Sequence, residues 1–96
     1  MISRIRGELV DVGLDYAVVD CAGVGYLLHV SAQTSAVLPT LGSEIGLHAH
    51  LISRDDSMNL YGFAEVDERS LFQALLGVSS VGPKVALAVV GNLLLV

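Results

Sequence analysis

The chain has 96 residues, of which 53% are hydrophobic and 16% are charged, and its net charge is −5. This much apolar surface excludes a disordered chain and fits one ordinary domain, or a small barrel with a helical appendage. An acidic total argues against a protein that coats nucleic acid through its overall charge. A local anion site survives this argument if the five basic residues share a face: Arg4, Arg6, Arg54, Arg69 and Lys84.

Cysteine content and the two termini bear on the compartment. Cys21 is the only cysteine, so no intramolecular disulfide can form, and we expect a reduced, cytoplasmic setting with Cys21 acting as a small buried hydrophobe. Charged residues interrupt the N-terminal segment, which therefore lacks the apolar core of a signal peptide. The apolar tail from Val85 to Val96 is shorter than the roughly 20 residues that a membrane span needs, so no membrane partner is expected.

The first 64 residues predict a set of short strands. In the first, Ile5 and Leu9 face one way and Arg4, Arg6 and Glu8 the other, which is the alternation of a half-buried strand. The predicted strands are residues 2–10, 16–20, 24–31, 44–54 and 58–63, with a short helix at 31–38 that Ser31 caps and Pro39 ends. Five strands with a helix between the third and fourth predict an OB-type barrel, whose closure removes exposed strand edges.

After Ala64 the apolar spacing becomes helical. A helix is predicted to begin with acidic residues in its first turn and to end at Gly77, and Pro83 is predicted to open a second helix at its first position. The predicted fold class is thus mainly β with a helical end. It consists of a five-stranded OB-type barrel at 1–64, followed by a partial helix-hairpin-helix domain at 65–96.

The stretch VSSVGPK, between the two predicted helices, is a candidate anion site. Backbone N–H groups at the start of the second helix, together with the charge of Lys84, would bind a phosphate without reading base sequence. The alternative is a plain helical hairpin, in which Gly82 serves only the turn and Lys84 is solvated. The small Ala86 allows the two helices to approach closely in either case.

Asp55 and Asp56 form the tip of a predicted hairpin. They are either a solvated turn, part of a metal site whose other ligands the sequence does not locate, or a nuclease pair. His29, His48 and His50 lack the partners of a zinc site, so no metal is expected. The chain has no phosphate-binding loop of the GxxxxGK[ST] type, so we expect no ATP hydrolysis and no cofactor.

Four segments resemble the RuvA family, in order and over nearly the whole chain. They are IxRIRGEL near the start, AGVGYLLHV, RDDSMNLYGF and ERSLFQALLGVSSVGPKVALAVV. The resemblance implies an OB-type barrel followed by helix-hairpin-helix motifs that bind Holliday junctions. It assigns Ser79, Ser80, Gly82 and Lys84 to a phosphate-facing hairpin, in which Ser80 replaces the usual first glycine.

The same resemblance gives the acidic turn a role. It implies that Asp55 and Asp56 form a pin, four of which gather at the centre of a tetramer where the strands of the junction cross. Carboxylates there repel phosphates and hold the crossover open. Arg54, beside the pair, is a candidate contact to the DNA backbone.

The implied function is non-catalytic: four-way junction binding as a homotetramer, or an octamer on DNA, in support of branch migration by the RuvB motor during recombination and repair. The RuvC resolvase is a further implied partner. RuvA-like chains continue with a second helix-hairpin-helix and a domain that grips RuvB, so we expect this chain to be truncated and the side chains of Leu93–Val96 to be exposed. The alternative is an oligomerisation module without useful DNA binding.

Overall fold

The structure, a computed structural model, describes the backbone of residues 1–93 and the side chains of residues 1–92. The predicted exposure of the Leu93–Val96 side chains lies outside this part of the chain. The elements are β1 (Arg4–Val12), β2 (Tyr16–Cys21), β3 (Val24–His29), α1 (Ala32–Ala36), β4 (Glu44–Arg54), β5 (Ser57–Phe63), α2 (Val66–Leu76) and α3 (Pro83–Leu93).

The five strands form a closed barrel in the order β1-β2-β3-β5-β4. All neighbouring pairs are antiparallel except β3 and β5, which run parallel through the pairs Leu28↔Leu60 and His29↔Tyr61. The short helix α1 lies between β3 and β4 in the chain, as in an OB fold. The predicted barrel is therefore confirmed, and its parallel closure leaves no free edge among these strands.

Strand ends differ from the predicted ones for local reasons. β1 continues to Val12 because a bulge between Leu9 and Asp11 lets the strand keep pairing with β2. β3 stops at His29, since the next amide, that of Val30, donates to the carbonyl of Asp15.

Two hydrophobic clusters stabilise the molecule. The first fills the barrel with alternate residues of the strands: Ile5, Leu9, Ala17, Val19, Leu28, Val30, Ile45, Leu47, Ala49 and Leu60. The second joins Phe63, at the end of β5, to Phe72 of α2 and to Ala86 and Val90 of α3. The two long helices therefore pack on each other and, through Phe63, on the barrel.

The helix starts follow ordinary capping chemistry. Ser31 accepts a hydrogen bond from the backbone N–H of Thr34 at 3.2 Å, as expected of an N-cap. Glu65 and Glu68 form a capping box at the start of α2. Pro83 is the first residue of α3, and the amide of Ala86 donates to the carbonyl of Gly82 at 2.9 Å. Within the described residues, none of the helices is long and apolar enough to cross a membrane.

Candidate nucleic-acid interface

Asp55 and Asp56 form the two-residue turn between β4 and β5. Arg54 pairs with Ser57 across the hairpin, and the hydroxyl of Ser57 donates to the carbonyl of Arg54 at 3.2 Å. Asp55 has a φ of 44°, in the left-handed region that aspartate tolerates better than most residues. All four residues are exposed. The hairpin thus presents two carboxylates to solvent at its tip.

Arg54 borders this acidic turn and acts electrostatically on Tyr61. Burial raises the pKa of the Tyr61 hydroxyl above its ordinary value, and the positive charge of Arg54 opposes part of that rise. Arg54 itself remains exposed at the end of β4. Its guanidinium group is therefore available to solvent and to ligands beside the turn.

The loop between α2 and α3 holds the four residues of the predicted phosphate site. Ser79, Ser80 and Lys84 are exposed, and Gly82 is half-buried. Ser80 has a φ of 71°, and the amide of Val81 donates to the carbonyl of Val78 at 3.2 Å to close the turn. The left-handed position of the loop is therefore at Ser80.

Gly82 lies at the junction of the loop and α3. It does not have a positive φ, and a Cβ at this position would meet nothing within 4 Å. Its carbonyl begins the hydrogen bonding of α3, so the next N–H groups have no partner within the helix. These amides and the charge of Lys84 make the end of the loop suited to a phosphate oxygen.

A groove of about 800 Å³ is lined by residues of β3, α1, β5 and α3; it includes Lys84 of the predicted phosphate site but no residue of the acidic turn. Lys84 and Leu87 of α3 form part of one wall, while Asn59 and Tyr61 of β5 belong to the other. β5 begins directly after the acidic turn and α3 begins at the candidate phosphate site, so each site adjoins an element that contributes to the groove. The structure thus places the two predicted sites on elements that border one groove.

Two of the other basic residues already have partners. The guanidinium group of Arg6 forms an exposed ion pair with Glu44 at 3.1 Å, and that of Arg69 donates to the carbonyl of Ser3 at 2.7 Å. Cys21 is half-buried, and its thiol donates to the carbonyl of Arg6 at 3.1 Å. Arg4 is exposed too but lies on β1, so Arg54 and Lys84 are the exposed cations that adjoin the acidic turn and the loop.

His29 and His50 pack against aromatic rings. The rings of His29 and Tyr61 are 5.3 Å apart, and His50 meets the ring of Phe72 edge-on at 5.8 Å. Burial lowers the pKa of His50 below its ordinary value, and the charge of Arg69 lowers it further. In residues 1–93, no three or more His, Cys, Asp or Glu side chains group in a way that could hold a metal ion.

The sequence reasoning missed a polar contact between the barrel and α2. Glu68 is only 6% exposed, and its two carboxylate oxygens accept from the Thr34 hydroxyl at 3.4 Å and from the Glu65 amide at 3.0 Å. The first-turn position of Glu68 predicted a favourable interaction with the helix dipole, but nothing local indicated its burial. The three-residue spacing of Glu65 and Glu68 is that of a capping box and could have predicted the contact between them, although glutamate is not a preferred N-cap.

Comparison with known proteins supports the resemblance seen in the sequence. A family model described as RuvA N terminal domain matches residues 1–62. A "Holliday junction branch migration complex subunit RuvA" from Mycobacterium sp. (strain KMS) is 53% identical over 88 residues, which are 92% of this chain and 44% of that protein. The protein of the same name from Chlorobium phaeobacteroides (strain BS1) is 48% identical over 93 residues, or 97% of this chain and 46% of its own length.

A third relative, from Chloroflexus aggregans, carries the same name and is 44% identical over 92 residues, covering 96% of this chain and 47% of its own. The chain therefore spans somewhat less than half the length of these curated relatives. The matches include the barrel, the acidic turn and the helical hairpin in one continuous stretch. The chain belongs to the RuvA family.

Proposed function

We propose that the chain is a non-catalytic, structure-specific DNA-binding subunit that recognises four-way junctions as a tetramer and supports RuvB-driven branch migration in recombination and repair. One observation carries this proposal: an exposed acidic turn and a helix-start phosphate site lie on elements that border the same groove. The names of the relatives add support, since they describe subunits of a Holliday junction branch migration complex.

In this proposal the hairpin loop holds the DNA arms. Backbone N–H groups after Gly82 and the ammonium group of Lys84 bind phosphate oxygens, and Ser79 and Ser80 contribute further donors. Arg54 is a candidate contact to the backbone near the crossover. These contacts reach phosphates and not base edges, so they are independent of sequence.

The acidic turn has the opposite effect. Asp55 and Asp56 repel phosphates, and two unit charges about 5–8 Å apart in a largely aqueous setting repel by roughly 1 kcal/mol. Four such turns around a fourfold axis would keep the crossing strands apart and would disfavour continuous duplex at that position. The preference for junctions then comes from repulsion at the centre combined with attraction on the arms.

The organisation proposed for the chain is a barrel at 1–64 and the first helix-hairpin-helix at 65–96, supported by the change from strands to helices after Phe63. We further propose a cytoplasmic homotetramer, or an octamer on DNA, with RuvB and RuvC as partners of the full-length form. The chain spans less than half the length of its relatives. The experiment must therefore also distinguish the proposed function from the alternative, an oligomerising barrel without useful DNA binding.

The test is a low-salt gel-shift titration that compares a four-way junction with a linear duplex of equal arm length. The wild type is run beside Asp55→Asn/Asp56→Asn and beside Glu8→Gln/Asp67→Asn, which removes two exposed carboxylates that line no part of this groove. We expect the wild type to prefer the junction. The first double variant should bind both DNAs at least as tightly but lose several-fold in preference, since about 1 kcal/mol is about fivefold.

The control variant should keep the wild-type preference, because its lost charges are away from the turn. A wild type without junction preference would overturn the proposal and favour the oligomerisation module. Equal loss of preference in both double variants would show that net charge, and not the acidic turn, sets the selectivity.

A further inference from the structure

The two candidate DNA sites share one structural support. The β4–β5 hairpin carries the acidic turn at its tip, and its other end, at His50, Tyr61 and Phe63, receives helix α2. Helix α2 leads directly into the loop that holds the candidate phosphate site. The separation between the two sites therefore depends on the angle at which α2 sits on the barrel.

One buried ring forms the centre of this support. Phe72 is fully buried, with its ring centroid 5.0 Å from that of Phe63 and 5.1 Å from that of Tyr61. A single ring in an apolar site fixes the distance between two elements well. It fixes their relative rotation less well, because dispersion contacts are weakly directional.

Polar contacts on the same face of α2 are directional, and they fix the rotation of the helix relative to the barrel. Glu68, four residues before Phe72 and so on the same side of the helix, reaches the hydroxyl of Thr34 in α1. Both side chains are buried, at 6% and 1% exposure, where an unpaired carboxylate oxygen is costly. This contact attaches the first turn of α2 to the connection between β3 and β4.

Arg69 attaches α2 at a second point. Its guanidinium group donates at 2.7 Å to the carbonyl of Ser3, which also accepts from the amide of Ala49 in β4. A third contact, from the Gln73 amide to His50 Nδ1 at 3.1 Å, lies one turn further along. Three directional contacts around one ring define an angle, whereas the ring alone does not.

From this arrangement we propose that Glu68 and Arg69 are positioning residues, which fix the angle of α2 on the barrel and thereby the spacing between the acidic turn and the phosphate-binding loop. The proposal rests on the proposed function for its consequence in DNA binding. Phe72, the remaining pivot, lies about 6 Å from the end of α2, so a tilt of about 20° would move that end by about 2 Å, beyond hydrogen-bond tolerance. Loosening this support should impair junction recognition, which needs both sites, more than duplex binding, which needs only the loop.

The spacing can be measured without DNA. In a Cys21→Ser background, Met58→Cys beside the acidic turn and Val78→Cys in the loop provide exposed sites for nitroxide labels. Double electron–electron resonance then gives the distance distribution between the two labels. Excess unlabelled protein is added so that few oligomers hold two labelled subunits, and only distances within one subunit are measured. The variants are Glu68→Ala and Arg69→Met, and the matched control is Asp67→Ala, which removes an exposed carboxylate from the same turn of α2.

We expect Glu68→Ala and Arg69→Met to widen the distribution about twofold or to shift it by about 2 Å, and Asp67→Ala to leave it unchanged. Glu68→Gln should restore the wild-type distribution, since its amide oxygen can accept from Glu65 and its amide nitrogen can donate to Thr34. In unlabelled protein, the two disruptive variants should lose about tenfold in junction preference, the effect of about one buried contact, with duplex affinity within about twofold.

Unchanged distributions in both folded variants would overturn the proposal. Global unfolding of both, seen by circular dichroism, would overturn it as well, because the contacts would then maintain the fold and not an angle. If distances respond while even the wild type ignores junctions, the proposed function fails and the positioning role stands. Because Arg69 is partly exposed, its replacement leaves no core cavity, which keeps the distance measurement decisive.

Discussion

At the residue scale, Ser80 carries backbone strain at the candidate phosphate site. Its φ of 71° lies in the left-handed region, where a side chain with a Cβ pays about 1–2 kcal/mol. Glycine avoids this cost but loses part of the gain through the greater entropy of the unfolded chain, about 0.5–1 kcal/mol. The RuvA-family resemblance assigns a glycine to this position, and the observed backbone explains why.

Ser80→Gly should therefore stabilise the chain by about 0.5–1 kcal/mol. Urea unfolding, followed by far-ultraviolet circular dichroism, measures the change. The matched control is Ser79→Gly, at an exposed neighbour that does not have a positive φ, where glycine should give no gain. Equal effects of the two substitutions would contradict the assignment of the strain to Ser80.

The acidic turn illustrates how backbone geometry limits the choice of substitution. Asp55 holds a φ of 44°, which asparagine accepts about as readily as aspartate does. The Asp→Asn changes used to test the proposed function therefore remove charge while keeping the turn. Alanine at this position would confound lost charge with added strain.

At the scale of elements, the contact between β4 and α2 is pH-dependent. His50 packs against Phe72 and Gln73, and its pKa is lowered from the ordinary value of 6.5 by burial and then by the charge of Arg69. The folded state thus binds this proton more weakly than the unfolded chain does. The stabilisation is fully present above the ordinary pKa and is lost as the pH falls through the lower, folded value.

We expect the melting temperature of the wild type to fall between pH 7.5 and 5.5 more steeply than that of His50→Gln, which cannot titrate there. Differential scanning calorimetry across this range measures the difference. His48→Gln removes a histidine from the same strand but keeps the contact between His50 and Gln73, and it is the matched control. If His48→Gln removed the pH dependence instead, the effect would not belong to His50.

The elements that local sequence determines were predictable. Alternation predicted β4 at Glu44–Arg54, Ser31 predicted the start of α1, and Pro83 predicted the start of α3, because each depends on residues within a few positions. The contact between Glu68 and Thr34 was not predictable, since it joins residues 34 positions apart. Its burial depends on how the barrel closes, and no local pattern carries that information.

The candidate site also has features that local sequence predicts and features that it does not. Turn residues placed Asp55 and Asp56 at a hairpin tip and Lys84 at a helix start, which the structure bears out. The groove between α3 and β5 and the burial of Tyr61 could not be read from the chain, because they arise from packing between distant segments.

At the scale of the whole molecule, the proposed DNA binding must overcome a net charge of −5. Affinity for a polyanion then depends on a few local cations, and each phosphate contact contributes about 0.9 to the slope of log K against log salt. Lys84 is the cation at the candidate phosphate site. Because the contact is independent of sequence and of strand crossing, its loss should weaken junction and duplex binding by similar factors.

Lys84→Met should therefore lower the salt slope by about one for every subunit in contact with the DNA. A single subunit would lose about one, whereas a tetramer engaged through all four hairpins would lose about four. Fluorescence anisotropy of a labelled junction, titrated between about 50 and 200 mM salt, gives the slope of log K against log salt for the wild type and for Lys84→Met. The control is Arg6→Met, since Arg6 is exposed but already paired with Glu44, and its slope should equal that of the wild type. An unchanged slope in Lys84→Met would remove the hairpin from the interface, and a loss near four would establish both the phosphate contact and the number of subunits that make it.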